Sequence, residues 1–233
     1  MLSSRDDGLP SCGTIVACAP DLTNCAKMVN LVMTRSGLHS IVRTASRKRE
    51  AVLVSAIGVF GQFGFKKTSV DDLAKAAGLS KQGLYLHFAS KEEIFLAAIH
   101  RYWEDGLRMV REELARPDVS LADRLEGAMD AWFGRHLATF TRQSLDVIEV
   151  VNRLSPDGSD KCKSAVRTEL AKAITNSREF KKTNMCTPRE IAQVLFQFGL
   201  TWKEEQSSRT EFMKKVALCI RACCQTERRQ VTR

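Results

Sequence analysis

From Arg47 onward the apolar positions recur three and four residues apart, the period of a helix with one buried face. Val52, Leu53, Ala56, Phe60 and Phe63 form such a stripe and predict a first helix over residues 47–63. Gly58 and Gly61 interrupt it, each costing about 1 kcal/mol against Ala in a helix interior, so this helix is expected to be soft. Val70, Leu73, Ala74 and Ala77 mark a second buried face, with Thr68 as the cap and Asp71 partly completing a capping box. Gly78 supplies the backbone freedom of a tight turn and Leu79 the apolar plug behind it. Ser80 then caps a short helix over residues 81–88. Leu84, Leu86 and Phe88 give it an apolar edge, and Lys81, Gln82, Tyr85 and His87 a polar one, with Gly83 between. A short helix of that kind is what insertion into the DNA major groove requires, and the pair reads as a helix-turn-helix.

The remaining pattern is helix after helix. Ser90 and Glu93 form a capping box opening a long helix over 91–115, stopped by Pro117. Helices follow over 121–140, 144–154 and 162–176, with 155–160 (SPDGSD) read as a loop from its Pro, Gly and Ser content. Thr187, Pro188 and Glu190 mark the start of a helix over 188–205, and a last one covers 209–224. The predicted fold is all-α: a three-helix N-terminal domain over 47–100 and a larger helical domain over 101–226.

Composition agrees with that picture and adds a partner. Long Ala/Leu/Glu/Lys/Arg-rich stretches with few Pro and Tyr fit an all-α chain, and a net charge of +9 over 233 residues suits a polyanion. No run of about 18 apolar residues occurs, so no membrane partner is expected. Residues 1–46 carry Pro10, Pro20 and three Cys (Cys12, Cys18, Cys25) without helical period. Two readings of that extension stay open: a disordered tail, or a true start at Met28 or Met33.

These motifs carry a family resemblance. Phe60, Gly64 and Phe65, then TSVDDLAKAAGLSK, LYLHF and SKEEIF, stand in the order and spacing of the DNA-binding domain of TetR-family transcriptional regulators, which residues 47–99 resemble. On the recognition helix, Lys81 can donate to guanine and Gln82 can pair with adenine, while Gly83 leaves room for close approach. The resemblance adds Thr68, Ser69, Tyr85, His87 and Lys91 as backbone or flanking contacts, with Ser80 capping the helix that carries the base readers. Arg47 and Lys48 precede the first helix, where basic residues reach phosphates or remain solvated charge. The implied partner is double-stranded operator DNA, bound by a homodimer in the cytoplasm.

The resemblance also implies a small-molecule effector in the second domain. Trp103, Met109, Met129, Trp132, Phe133 and His136 are the candidate wall, an apolar lining with few polar groups being the usual form of a ligand site. Phe196, Leu200, Phe212, Val216 and Ile220 have spacings that suit either an interface or ordinary core. No nucleophile–base pair, HExxH, P-loop or GxSxG motif occurs, and the four His are scattered, so neither catalysis, a metal nor a cofactor is expected. The expected function is a DNA-binding regulator, a repressor released from a palindromic operator by its effector. Two alternatives stand beside it: a non-sensing DNA-binding protein, and a thiol or soft-metal responder built on Cys219, Cys223 and Cys224.

Overall fold

The computed structural model describes residues 35–141, 144–180, 186–204 and 208–224. It divides into the unit Met1–Ala45, described only from Arg35, and the unit Ser46–Arg233, in which every contact below lies. Cys12, Cys18, Cys25, Met28 and Met33 fall outside the described residues.

Every regular element among the described residues is helical. Helix α1 runs Arg35–Lys67, beginning upstream of the start at residue 47 that the apolar stripe predicted. It is broken at Gly64, whose φ of 81° lies in the left-handed region that glycine alone adopts cheaply. The break corrects the predicted buried face. Phe63 precedes it and is exposed, while Phe65 follows it and enters the core, packing against Phe60 and Phe95 at centroid distances of 5.9 and 5.0 Å.

Helix α2 is Val70–Ala76 and α3 is Lys81–Tyr85. The cap of α2 is Ser69 rather than Thr68: Ser69 accepts from the Asp72 N–H, and the Asp72 carboxylate accepts from the Ser69 backbone. The Ser/Asp spacing of a capping box therefore fits one residue later than predicted. The turn forms as expected. Gly78 has φ 66°, its N–H donates to the Lys75 carbonyl, and the Leu79 N–H donates to that of Ala74, closing α2 as a Schellman motif. Helix α3 stops at Tyr85, three residues short of the predicted end, and this turns Leu86 out of the apolar edge assigned to it, leaving it 84% exposed.

Helix α4 (Lys91–Leu114) opens on the Ser90 cap and is long enough to serve two cores. Ile94, Phe95, Ala98 and Ile99 close the first core with Val52, Leu53, Ala56, Phe60, Leu73, Leu84 and Phe88. Val110 and Leu114 belong to the second. The predicted helix over 121–140 is three pieces: α5 (Leu121–Met129), a π-helical turn over Asp130–Gly134, and α6 (Arg135–Thr139). Helix α7 is Asp146–Leu154 and α8 is Pro156–Asn176. The SPDG segment read as a loop is thus the first turn of α8. Pro156 sits where its missing N–H costs nothing, and the local loop signal is overridden. Helices α9 (Pro188–Glu204) and α10 (Arg209–Cys224) complete the second core, where Phe133, Leu170, Phe196, Phe212, Val216 and Ile220 are buried.

The valines of α7 reach back. Val147, Val150 and Val151 pack into the first core, with α1 to α4, although they lie some fifty residues beyond it in sequence.

Candidate nucleic-acid interface and effector cavity

The outward end of the candidate recognition helix is built from its cap. The Ser80 hydroxyl accepts from the Gly83 N–H at 3.0 Å, fixing the first turn of α3. Leu84 and Phe88 anchor the helix from behind, so Lys81, Gln82 and Tyr85 face outward. His87 is half-buried; Arg47 and Lys48 are exposed. Lys81 is not free of protein contacts: its ammonium donates to Asp71 at 3.0 Å, and that hydrogen bond raises its pKa above the ordinary lysine value. Both partners are largely exposed, and a solvated pair of this kind exchanges readily for a phosphate or a base edge.

Two of the expected contact residues also have structural duties. Thr68 is 2% exposed, and its hydroxyl donates to the Gly64 carbonyl at 2.6 Å, so it stabilises the α1 kink and offers DNA no hydroxyl. Lys91 donates to the carbonyls of Phe65 and Thr68 at 3.1 and 3.0 Å and lies 4.2 Å from the Phe65 ring centroid. One ammonium hydrogen remains for a phosphate. Ser69 keeps an exposed position, though its hydroxyl bonds Asp72 at 2.6 Å. Leu86, beside Tyr85 and more exposed than it, was missed as a surface feature; an apolar side chain there suits a thymine methyl.

A cavity of about 190 Å³ lies between α4, the π turn with α6, α7 and α8. Of the six candidate wall residues, Trp103, Trp132, Phe133 and His136 line it. Met109 and Met129 do not. Met129 is buried in the second core, and Met109 packs against that core and touches Arg135 through its sulfur. Among the lining residues not foreseen are Tyr102, Arg135, Phe140, Asn152 and Lys163. The π turn explains part of that miss, because its wider turn shifts the residues after it off a regular helical face, and sequence period gives no sign of it. Arg135 did leave a signal, as a lone cation inside the aromatic run WFGRHL.

The cavity is aromatic with a polar seam. Burial pushes the Tyr102 phenol above its usual pKa and keeps it a neutral hydroxyl, 3.3 Å from His136 Nδ1. The Arg135 guanidinium lies over the Tyr102 ring, 3.8 Å from its centroid, and donates to the Tyr102 carbonyl. Its Nε is buried and meets no acceptor among the described residues. A buried donor left unpaired costs about 1–3 kcal/mol, more when charged.

One helix belongs to both sites. Val147, Ile148, Val151 and Asn152 of α7 line the cavity. Its first residue, Asp146, accepts the N–H groups of Phe65 and Lys66 at the α1 kink, at 3.1 and 2.6 Å. One turn on, Glu149 pairs with the Lys66 ammonium at 3.1 Å.

At the other end, Cys219 and Cys223 sit one turn apart on α10 with sulfurs 4.0 Å apart. Burial pushes the Cys219 thiol up to about 12 and that of Cys224 to about 11, which makes both poor nucleophiles at neutral pH. Among the described residues no three His, Cys, Asp or Glu side chains converge as a metal site would need.

Residues 52–98 match the family model described as bacterial regulatory proteins, tetR family. The HTH-type transcriptional regulator RutR of Escherichia coli K12 is 37% identical over 76 residues, 31% of this chain and 36% of RutR. The HTH-type transcriptional activator FasR of Mycolicibacterium smegmatis is 36% identical over 86 residues, 37% of this chain and 39% of FasR. The chain therefore spans little more than a third of the length of these relatives. Over longer spans the likeness is one of fold: the reduced form of E. coli NemR superposes with a TM-score of 0.59 at 24% identity, covering 77% of this chain and 99% of NemR. A TetR-family regulator from Mesorhizobium loti gives 0.60 at 20% identity, covering 77% and 96%.

Proposed function

We propose that this chain, a member of the TetR family of DNA-binding transcriptional regulators, is an operator-specific repressor that a small molecule releases from DNA. The observation that carries the effector half of this reading is the double duty of α7. The same helix walls the cavity through Val147, Ile148, Val151 and Asn152 and holds the kink of α1 through Asp146. A ligand that moves α7 by a fraction of a turn acts on the base of the helix-turn-helix without an intermediary. The shift needs a ligand with different affinity for two arrangements, a coupling of typically about 1–3 kcal/mol.

Dimerisation is supported by an outward apolar face. Val194 and Phe198 on α9 and Leu218 on α10 are exposed, and Phe198 stacks on Trp202 at 4.9 Å. The five residues that sequence spacing offered as interface or core fall mainly to the core: Phe196, Phe212, Val216 and Ile220 are fully buried within this chain. Reading successive major-groove faces of a palindrome requires two recognition helices about 34–36 Å apart, which a dimer supplies and a monomer does not. No helix among the described residues is long and apolar enough to cross a membrane. The cytoplasm is the compartment such a role implies.

Selection of bound duplexes from a random pool at about 0.15 M salt tests the reading, since salt governs the non-specific share of binding. Recovery of a palindrome with half-sites one turn apart is the expected result. Binding with no motif, collapsing as salt rises, would replace it with the non-sensing alternative. FasR is an activator, so the sign of regulation needs its own reporter assay on the recovered operator.

A further inference from the structure

The charge of the cavity narrows what it can hold. Among the described residues its wall contains the cationic side chains Arg135 and Lys163 and no Asp or Glu. Three acids of the flanking elements have other partners: Asp105 pairs with Arg101 and Arg108, Asp130 with Arg209, and Asp146 with the N–H groups of the α1 kink, while Glu104 faces Cys162 on α8. Arg135 has no carboxylate partner among the described residues. Its contacts are the Tyr102 carbonyl, the Tyr102 ring and the Met109 sulfur at 3.9 Å, and its Nε has no acceptor. Lys163 is paired at 3.2 Å with Asp160, an exposed residue of its own helix, and such a pair yields to a better-placed anion.

Taking the cavity as the effector site, we infer that its ligand is a small organic carboxylate with an aromatic or apolar body, received by Arg135 and assisted by Lys163. A guanidinium fork matches a carboxylate in shape as well as charge, and a partly buried aromatic surround strengthens the bond. The body of the ligand meets Trp103, Trp132, Phe133 and Phe140. A volume near 190 Å³ suits a ligand with a single ring or a short chain.

The test compares acids with their neutral amides on the full chain: benzoate against benzamide and hexanoate against hexanamide. Binding is read by calorimetry and by the fluorescence of Trp103 and Trp132. At least one acid should bind about tenfold or more tightly than its amide, the preference expected of a charge-assisted bond. Arg135→Gln should erase that preference and Lys163→Gln reduce it. Should Arg135→Gln fail to fold, the acid–amide comparison on the unaltered chain and on Lys163→Gln still decides. Equal binding of acid and amide, preference for the amide, or no binding by either acid overturns the inference. The effector reading stands or falls separately. Amides that bind equally and release the operator would keep it and discard the anion site. Acids that bind through Arg135 and leave operator affinity unchanged would keep the anion site and discard the coupling.

Discussion

The Asp146 carboxylate accepts the backbone N–H of Phe65 at 3.1 Å across 81 residues of sequence, and that of Lys66 beside it at 2.6 Å. Gly64 breaks the helical ladder, so these two N–H groups lose their helical acceptors, and a carboxylate from α7 takes their place. The first residue of a cavity-lining helix is thereby the cap of the DNA-binding domain's own kink.

Asp146→Ala should therefore act twice. It leaves two N–H groups without a charged acceptor, a loss of about 1–3 kcal/mol visible as a lowered Tm. It also uncouples α7 from the kink, so a ligand that releases the operator from the parent chain should release the variant less. Thermal melts and operator titrations with and without ligand check both. A lowered Tm with undiminished release would make Asp146 a structural clamp alone.

The two glycines of α1 part company in the structure. A Cβ on Gly58 would meet nothing within 4 Å, so Gly58→Ala should gain the helix propensity of Ala, about 0.5–1 kcal/mol. A Cβ on Gly61 would run into the Thr139 carbonyl, where the chain crosses α1 and the Thr141 N–H bonds the Gly61 carbonyl at 3.0 Å. Gly61→Ala should lower Tm despite the same propensity gain. Opposite shifts in two melts are the expected result, and a rise in both would mean the 139–141 crossing gives way easily.

Much of the N-terminal domain was legible because its signals are local. The Gly78 turn, the Ser80 and Ser90 caps and the stripe Val52–Leu53–Ala56–Phe60 each depend on residues within a turn or two of one another. What escaped depends on partners far along the chain. Nothing near Asp146 announces Phe65, and nothing near Gly61 announces Thr139. The cavity stood between these cases. Trp103, Trp132, Phe133 and His136 were visible as aromatic residues of the second domain, while Arg135 enters through the π turn before it and Lys163 from a neighbouring helix. The apolar residues of α9 and α10 were recognised as packed, but helical period alone could not say which face meets this chain and which faces outward.

On the recognition surface, Asp71 holds Lys81 and adds a negative charge where DNA would lie. Asp71→Asn should tighten operator binding, because it frees the ammonium and removes a repulsion. Lys81→Ala should lower the slope of log K against log salt by about one if Lys81 meets a phosphate. Gln82→Ala should instead cost about 1–3 kcal/mol at a single base position and leave the slope alone. Operator titrations across a salt series separate the three. An unchanged affinity in all of them would remove α3 from the interface.

The outward face of α9 and α10 makes a prediction about assembly. Phe198→Glu and Leu218→Glu place charges on partly exposed positions and leave the buried core residues unchanged, so helicity should be retained although Phe198→Glu gives up its stack on Trp202. If a second copy covers that face, both variants should shift to monomer in light scattering and lose cooperative binding to a palindrome. Dimers that survive both changes would assign the interface elsewhere.

The thiols of α10 give a pH dependence whose direction can be worked out. Burial first, then the neighbouring Cys223, pushes Cys219 up to about 12 and Cys224 to about 11, from an ordinary 9.0. In the unfolded chain both ionise near that ordinary value. Above about pH 9 the unfolded state then holds fewer protons than the folded one, and stability falls as pH rises, until the native thiols ionise too. Below pH 9 both states are protonated and these groups add no slope. Cys219→Ala with Cys224→Ala should flatten the alkaline limb between pH 9 and 11, even though the lost packing lowers stability throughout. The same burial predicts that at pH 8 an alkylating reagent labels exposed Cys186 before Cys219 and Cys224, which react only on unfolding. Rapid native-state labelling of Cys219 would contradict the burial argument and return the thiol-responsive alternative to contention.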